Sequence, residues 1–250
     1  DTWVAAVAQL RTLGVAYQGV TALSERPYGH PASDMAVSAQ MLGVMYEVGM
    51  DEIAVSFLRT LVADAEVHLA DLERPRQLMF LHGLTRAARL YQDDGMPLQV
   101  AGHVLAFLEQ GGVEGLPVDP WLHPENVRLD LQDMVNRSGR GADVQVPALA
   151  FGAVRPGSLE ETMQQLARAT RDRDGELAWS LCTSLMERTS PRGFGTLDDD
   201  GEADGRWALG MATLLRDMVI DDHGEELHLV AGGDQGMITR DMGIELEFMP

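Results

Sequence analysis

Apolar residues recur at three- and four-residue steps from Thr2 to about Val219, the spacing that lines one face of an α-helix. A first helix is expected over 2–18, with Trp3, Val7, Leu10, Leu13 and Tyr17 on its stripe. After a Pro/Gly/polar loop, Ser33 or Asp34 suits the cap of a second helix carrying Val37, Met41, Val44, Met45 and Val48. Gly49 stops that helix, Asp51 caps the next, and Ile53, Phe57, Leu58, Leu61 and Val62 continue the apolar face. Further helices are expected over 76–92 and 97–109, the second opening on Pro97 and ending at Gly111-Gly112. The stretch 111–157, with five Pro and seven Gly, holds one helix near 125–136 and otherwise reads as a long loop. Ser158 and Glu161 form a capping-box pattern that restarts helix, and helices follow over about 176–187 and 204–219. The period then changes: 226–230 and 244–248 alternate polar and apolar and read as short strands around a Gly-rich turn.

A weak repeat runs through the helices. Gly49-Met50-Asp51-Glu52-Ile53 with Leu58 and Leu61 recurs 46 residues later as Gly95-Met96-Pro97-Leu98-Gln99 with Val104 and Phe107. Gly175-Glu176-Leu177-Ala178 with Leu181 and Leu185 is a third copy. One helical hairpin cannot bury its own stripe, so several must stack as a solenoid or close into a ring. The expected fold is therefore all-α: antiparallel helical hairpins stacked as a partial or complete (α/α) toroid over 1–220. A short β segment over 221–250 follows it.

Composition narrows the partners. Against 39 Asp+Glu stand 19 Lys+Arg, every one an Arg, for a net charge of −20. Nucleic acid and anionic membrane surfaces would be repelled. No apolar run approaches the ~20 residues of a membrane-spanning helix, so a soluble chain is expected, its compartment open. A chain that begins at Asp1 is expected to be a mature form, a trimmed form or a domain of something longer. The single Cys182, in an apolar stretch, reads as packing and excludes a disulfide framework. No P-loop, no metalloprotease His pair and no Gly-x-Ser-x-Gly appears, and neither a cofactor nor a metal is expected. The Asp198-Asp199-Asp200-Gly201-Glu202 run is expected to be a solvated turn, with a metal-binding role the lesser alternative.

Three clusters could carry chemistry. Tyr28, His30 and Asp34 share the loop before the second helix, where Asp34 either caps that helix or serves as an acid or base. Trp121 and His123 lie in the central loop; they suit stacking on a sugar face and bonding its hydroxyls, or else anchor the loop. Glu187 and Arg188 end a helix, as a local ion pair or with Glu187 reaching a pocket as the second carboxylate. Glycosidic hydrolysis needs two carboxyl groups across the scissile bond, about 5–10 Å apart.

The stretch 26–62, with Pro27, Asp34, Gly49, Asp51-Glu52-Ile53-Ala54 and Phe57-Leu58, is similar to an inner–outer helix pair of the (α/α)6-barrel, or six-hairpin, glycoside hydrolases. Arg206-Trp207-Ala208-Leu209-Gly210 through Leu214 to Met218, then Glu226 to Leu229, resembles the exit of such a barrel into a β-sandwich. The resemblance implies a carbohydrate substrate and catalytic acids on one rim, with Asp34 and Glu187 in the matching positions and Tyr28, His30, Trp121, His123 and Arg188 as substrate contacts. Six hairpins need about twelve helices and this chain offers about nine, so an incomplete ring, or part of a longer chain with additional domains, is expected. The alternative is a non-catalytic helical scaffold that binds a protein or peptide on its concave face.

Overall fold

A computed structural model describes residues 14–17, 20–23, 35–47, 50–90, 95–141, 143–188, 205–223 and 227–229. Nine helices dominate these residues: α1 (Met35–Glu47), α2 (Asp51–Ala63), α3 (Ala65–Asp71), α4 (Arg74–Leu90), α5 (Gly95–Glu109), α6 (Pro124–Arg137), α7 (Leu159–Asp172), α8 (Gly175–Glu187) and α9 (Gly205–Val219). The described part is mostly α, as the periodicity predicts.

α4 is the hub. Its residues from Leu78 to Thr85 are buried without interruption, so it is covered on every side. α1, α2, α5 and α6 all pack on it. The α1–α4 crossing is the tightest, because Gly83 lets the two backbones meet: a Cβ there would lie 2.5 Å from the Gln40 nitrogen and 2.7 Å from the Ala39 oxygen. α2 shows the opposite pattern, burying Ala54, Phe57, Leu58, Leu61 and Val62 and leaving Glu52, Ser56 and Arg59 outside. α7 and α8 form an antiparallel hairpin, and α9 packs on α1 and α7. Phe57, Phe80, Met41, Met45 and Leu78 are the large side chains sealed inside.

The termini of α7 and α8 follow from their sequence. Ser158 Oγ accepts a hydrogen bond from the Glu161 N–H, and the Glu161 carboxylate accepts from the Gly157 N–H, one residue earlier than a reciprocal capping box requires. Arg173 turns into the left-handed region (φ 59°) to end α7, and Asp174 caps α8 by accepting from the Leu177 N–H at 3.1 Å.

The long central stretch is tied down at two points. β3 (Pro117–Val118) pairs in parallel with β4 (Ala150–Phe151), and Leu122 and Trp121 plug into the core just beyond β3. His123 caps α6, its Nδ1 accepting from the Glu125 N–H.

Several expectations need correction. The helix predicted over 2–18 is replaced at 14–17 by β1 (Gly14–Tyr17), antiparallel to β2 (Val20–Leu23) with Tyr17 opposite Val20. Val15, Tyr17, Val20 and Thr21 favour paired strands over the helical stripe. Helix α3 fell inside no predicted segment. Asp51 is the first residue of α2 rather than its cap; it and Glu52 place negative charge in the first turn. β6 (His228–Leu229) lies within the predicted 226–230 strand, but it pairs with β5 (Ile220–Asp221) at the end of α9. The predicted 244–248 strand lies outside the described residues, as does the Asp198–Asp200 run.

Candidate functional site

Two adjoining sites are built on α4 and share Gln40 of α1. The first is a cleft of about 300 Å3 lined by Arg76, Asp119, Pro120, Trp121, Glu160, Arg206 and Trp207. The β3–β4 bridge fixes the turn that carries Asp119 and Trp121. Asp119 accepts from Arg76 (Nη1 to Oδ1, 2.9 Å) and from Gln40 (Nε2 to Oδ2, 2.7 Å). Trp121 donates its Nε1–H to Gln40 Oε1 at 3.1 Å, so one amide orients both an aromatic and a carboxylate. The Trp121 and Trp207 rings meet edge to face with centroids 6.1 Å apart, and the Arg206 guanidinium lies 5.5 Å over Trp207. Gly210 admits this arrangement, because a Cβ there would come within 3.1 Å of the Trp121 ring.

The second site is a buried charge cluster. α4 sends His82, Arg86 and Arg89 in one direction, at spacings of four and three residues. α6 answers with Asp130 and Asp133, α9 brings Arg216 and Asp217, and the residues after β5 bring Asp222 and His223. Asp130, fully buried, accepts from Arg89 (2.5 Å), from His223 Nδ1 (2.8 Å) and from His82 Nε2 (3.1 Å). His223 Nε2 donates to Asp217 at 3.2 Å, giving an Asp–His–Asp chain. Asp222 bridges Arg86 (3.0 Å) and Arg216 (2.8 Å), and Arg89 also donates to the Asp222 carbonyl at 3.0 Å.

The four carboxylates Asp130, Asp133, Asp217 and Asp222 thus face the four cations Arg86, Arg89, Arg216 and His223, a balance that buried charge requires. Burial by itself would lower the His223 pKa, but Asp130 and Asp217 outweigh it and raise it to about 9, so the ring is cationic at neutral pH. Burial likewise works against the charged form of Asp130, yet His223, Arg86 and the imidazole hydrogen bonds hold that carboxyl well below its usual range. Asp217 and Asp222 are lowered in the same sense, against burial, by His223, Arg86 and Arg216. For His82 burial dominates and lowers the pKa, so the ring is neutral. A neutral ring bound to Asp130 through Nε2–H leaves Nδ1 as an acceptor, and among the described residues that atom has no partner. Beside the cluster lies a cavity of about 40 Å3 lined by residues of α1, α4 and α9, with Leu122 and His223 closing it.

The residues picked from sequence fall unevenly. Trp121 lines the cleft, but as a buried ring that also anchors its loop. His123 is the half-buried cap of α6, its ring edge-on to Phe151 at 5.2 Å, and burial lowers its pKa. Glu187 is exposed at the end of α8 and Arg188 is its C-cap; neither lines the cleft or the cavity. Tyr28, His30 and Asp34 lie outside the described residues. Cys182 is buried in the core. Asp221, Asp222 and His223, in the acidic stretch after α9, are drawn inward: Asp221 and His223 are buried and Asp222 is bridged by two guanidiniums. The signal that could have found this cluster is the His82, Arg86, Arg89 stripe on a helix whose stretch from Leu78 to Ala88 is almost wholly buried. Cations repeated on a face that must be buried call for carboxylates opposite. Among the described residues no group of His, Cys, Asp and Glu has the arrangement to hold a metal ion. Comparison with protein-family models, with curated proteins and with solved structures gave no match.

Proposed function

We propose that the chain is a glycoside hydrolase, or the catalytic-barrel portion of one, acting on a carbohydrate held in the Trp121–Trp207 cleft. The observation that carries this reading is the composition of the cleft: two tryptophans, two carboxylates and two guanidiniums around space for a small ligand. Sugars present apolar C–H faces to aromatic rings and hydroxyls to carboxylates and Arg. Trp121 was also picked from the sequence for this role. Hydrolysis then needs an acid and a second carboxylate, and in the cleft these are Asp119 and Glu160; the pair read from sequence, Asp34 and Glu187, would act only at a separate site, since Glu187 does not line the cleft. The toroidal arrangement belongs to the same proposal. Its support is the α7–α8 hairpin and the packing of α5 on α4, while the crowded hub at α4 favours the partial ring over the complete one.

A panel of aryl glycosides and oligosaccharides tests this. Glu160→Gln and Asp119→Asn should each lower kcat about 100-fold or more if these are the reacting groups. Unchanged rates in both, with loss in Asp34→Asn and Glu187→Gln, would move the chemistry to the rim. No turnover of any glycoside would remove the reading.

One observation favours the scaffold alternative. α8 leaves Leu177, Trp179 and Met186 exposed beside the face it buries against α7, an apolar arc wider than α7 covers.

A further inference from the structure

The charges on the wall of the Trp121–Trp207 cleft are unevenly answered. Asp119 is satisfied within the protein: Arg76 donates to its Oδ1 at 2.9 Å and Gln40 to its Oδ2 at 2.7 Å. Arg76 and Arg206 each have further interactions, and the Arg206 guanidinium also lies over the Trp207 ring. Glu160 is the exception. It lines the cleft half-buried, and among the described residues no side chain or backbone N–H pairs with its carboxylate. Its place in the first turn of α7 does not account for it. There Ser158 caps the helix, and the neighbouring Glu161 supplies the carboxylate that accepts from the Gly157 N–H. The cleft therefore presents one unanswered negative charge beside two indole rings. A carboxylate next to aromatic rings suits an ammonium group: the carboxylate accepts its N–H donors and the rings attract its charge. The excess of 39 acids over 19 Arg adds a field of the same sign, which concentrates cations near the surface and repels anions.

We propose that the cleft takes an amino sugar, a carbohydrate unit whose free amine is protonated, with Glu160 holding the ammonium. This rests on the reading of the cleft as a carbohydrate site and narrows it to a cationic substrate. On a 2-amino sugar the ammonium stands on the carbon next to the anomeric one, so a carboxylate that reaches the reacting bond also lies beside the charge. The C–H faces of the sugar meet the indole rings as before. An N-acetylated unit has no charge to offer Glu160, and an acidic sugar would be repelled by it.

The probes are the methyl glycosides of glucosamine, N-acetylglucosamine and glucose, titrated into the whole chain near pH 6, where an aliphatic amine is protonated. Binding is read as Kd by calorimetry and by Trp fluorescence, so the test does not pass through turnover. The glucosaminide should bind at least tenfold tighter than the other two. In Glu160→Gln, its fold checked by circular dichroism and Tm, that advantage should vanish and the three Kd values converge. Glu52→Gln, which removes the same charge from the exposed side of α2, should keep the advantage. A glucosaminide that binds no tighter than the glucoside overturns the proposal and leaves the carbohydrate reading standing. An advantage that survives Glu160→Gln overturns it too. So does one lost equally in Glu52→Gln, which would assign the preference to the overall acid excess. If none of the three glycosides binds, the proposal falls together with the carbohydrate reading.

Discussion

Gly83 and Asp130 decide the most by the least chemistry. Gly83 is where the backbones of α1 and α4 touch, and the atoms a methyl would strike are main-chain atoms of Ala39 and Gln40. Neither can rotate away, so Gly83→Ala must push the helices apart. We expect destabilisation of about 1–3 kcal/mol or more, read from denaturant melts, although the change raises helix propensity. Gly43 in the facing helix should tolerate the same methyl, which makes the pair an internal control. Asp130 is the opposite case, a charge with no exposure that survives because three donors reach it. Asp130→Asn removes the charge while Arg89 and His223 stay buried beside it. Breaking such a pair from one side costs about 3–5 kcal/mol, and equilibrium unfolding of Asp130→Asn should show a loss of that order. A loss under about 1 kcal/mol would mean that water reaches the cluster.

At the scale of elements, most of the helices were legible and their partners were not. α1, α2, α5, α6, α7, α8 and α9 lie close to where periodicity and end signals put them, because each carries its stripe and its stop within a dozen residues. The first predicted helix failed at 14–17, where β-branched and aromatic residues pair with those of 20–23 and the apolar spacing alone misleads. The cleft was half legible. Trp121 could be picked as a large aromatic in a Pro/Gly loop, but Arg76, Glu160 and Trp207 reach the cleft from three separate helices, and the two-residue parallel pairing that fixes the turn of Asp119 leaves no pattern. The charge cluster was less legible still, since its residues span 82 to 223 and only the stripe on α4 is local. Local devices that are legible can be tested as such. Ser158 and Asp174 each satisfy one N–H of their helix's first turn. Changing either to Ala should cost about 1 kcal/mol, or roughly 2–4 °C in Tm. The two losses should add, since the caps serve different helices.

For the whole molecule, the acid excess of −20 does not describe the interior, where four carboxylates meet four cations and the chain after α9 is held against α4 and α6. That clasp makes stability depend on pH with a sign fixed by its two histidines. His223 is faced by Asp130 from α6, Asp217 from α9, and Arg86 and His82 from α4. Its folded pKa, about 9, stands above the unfolded 6.5, so its contribution is full below pH 6.5 and is lost as pH rises towards 9. That rise corresponds to about 3 kcal/mol. His82 runs the other way: its folded pKa lies below 6.5, so below that pH the unfolded chain takes up a proton that the native state refuses, and stability falls. Asp130 and Asp217, lowered from 3.8, add a further loss only in stronger acid. The sum places maximum stability near pH 6.5, with a decline on each side that belongs to a different ring. Thermal melts from pH 5 to 10 should therefore lose the alkaline limb in His223→Gln while keeping the acid one, and His82→Gln should do the reverse. An alkaline limb that persists in His223→Gln would show that the clasp is not what holds the chain after α9 in place.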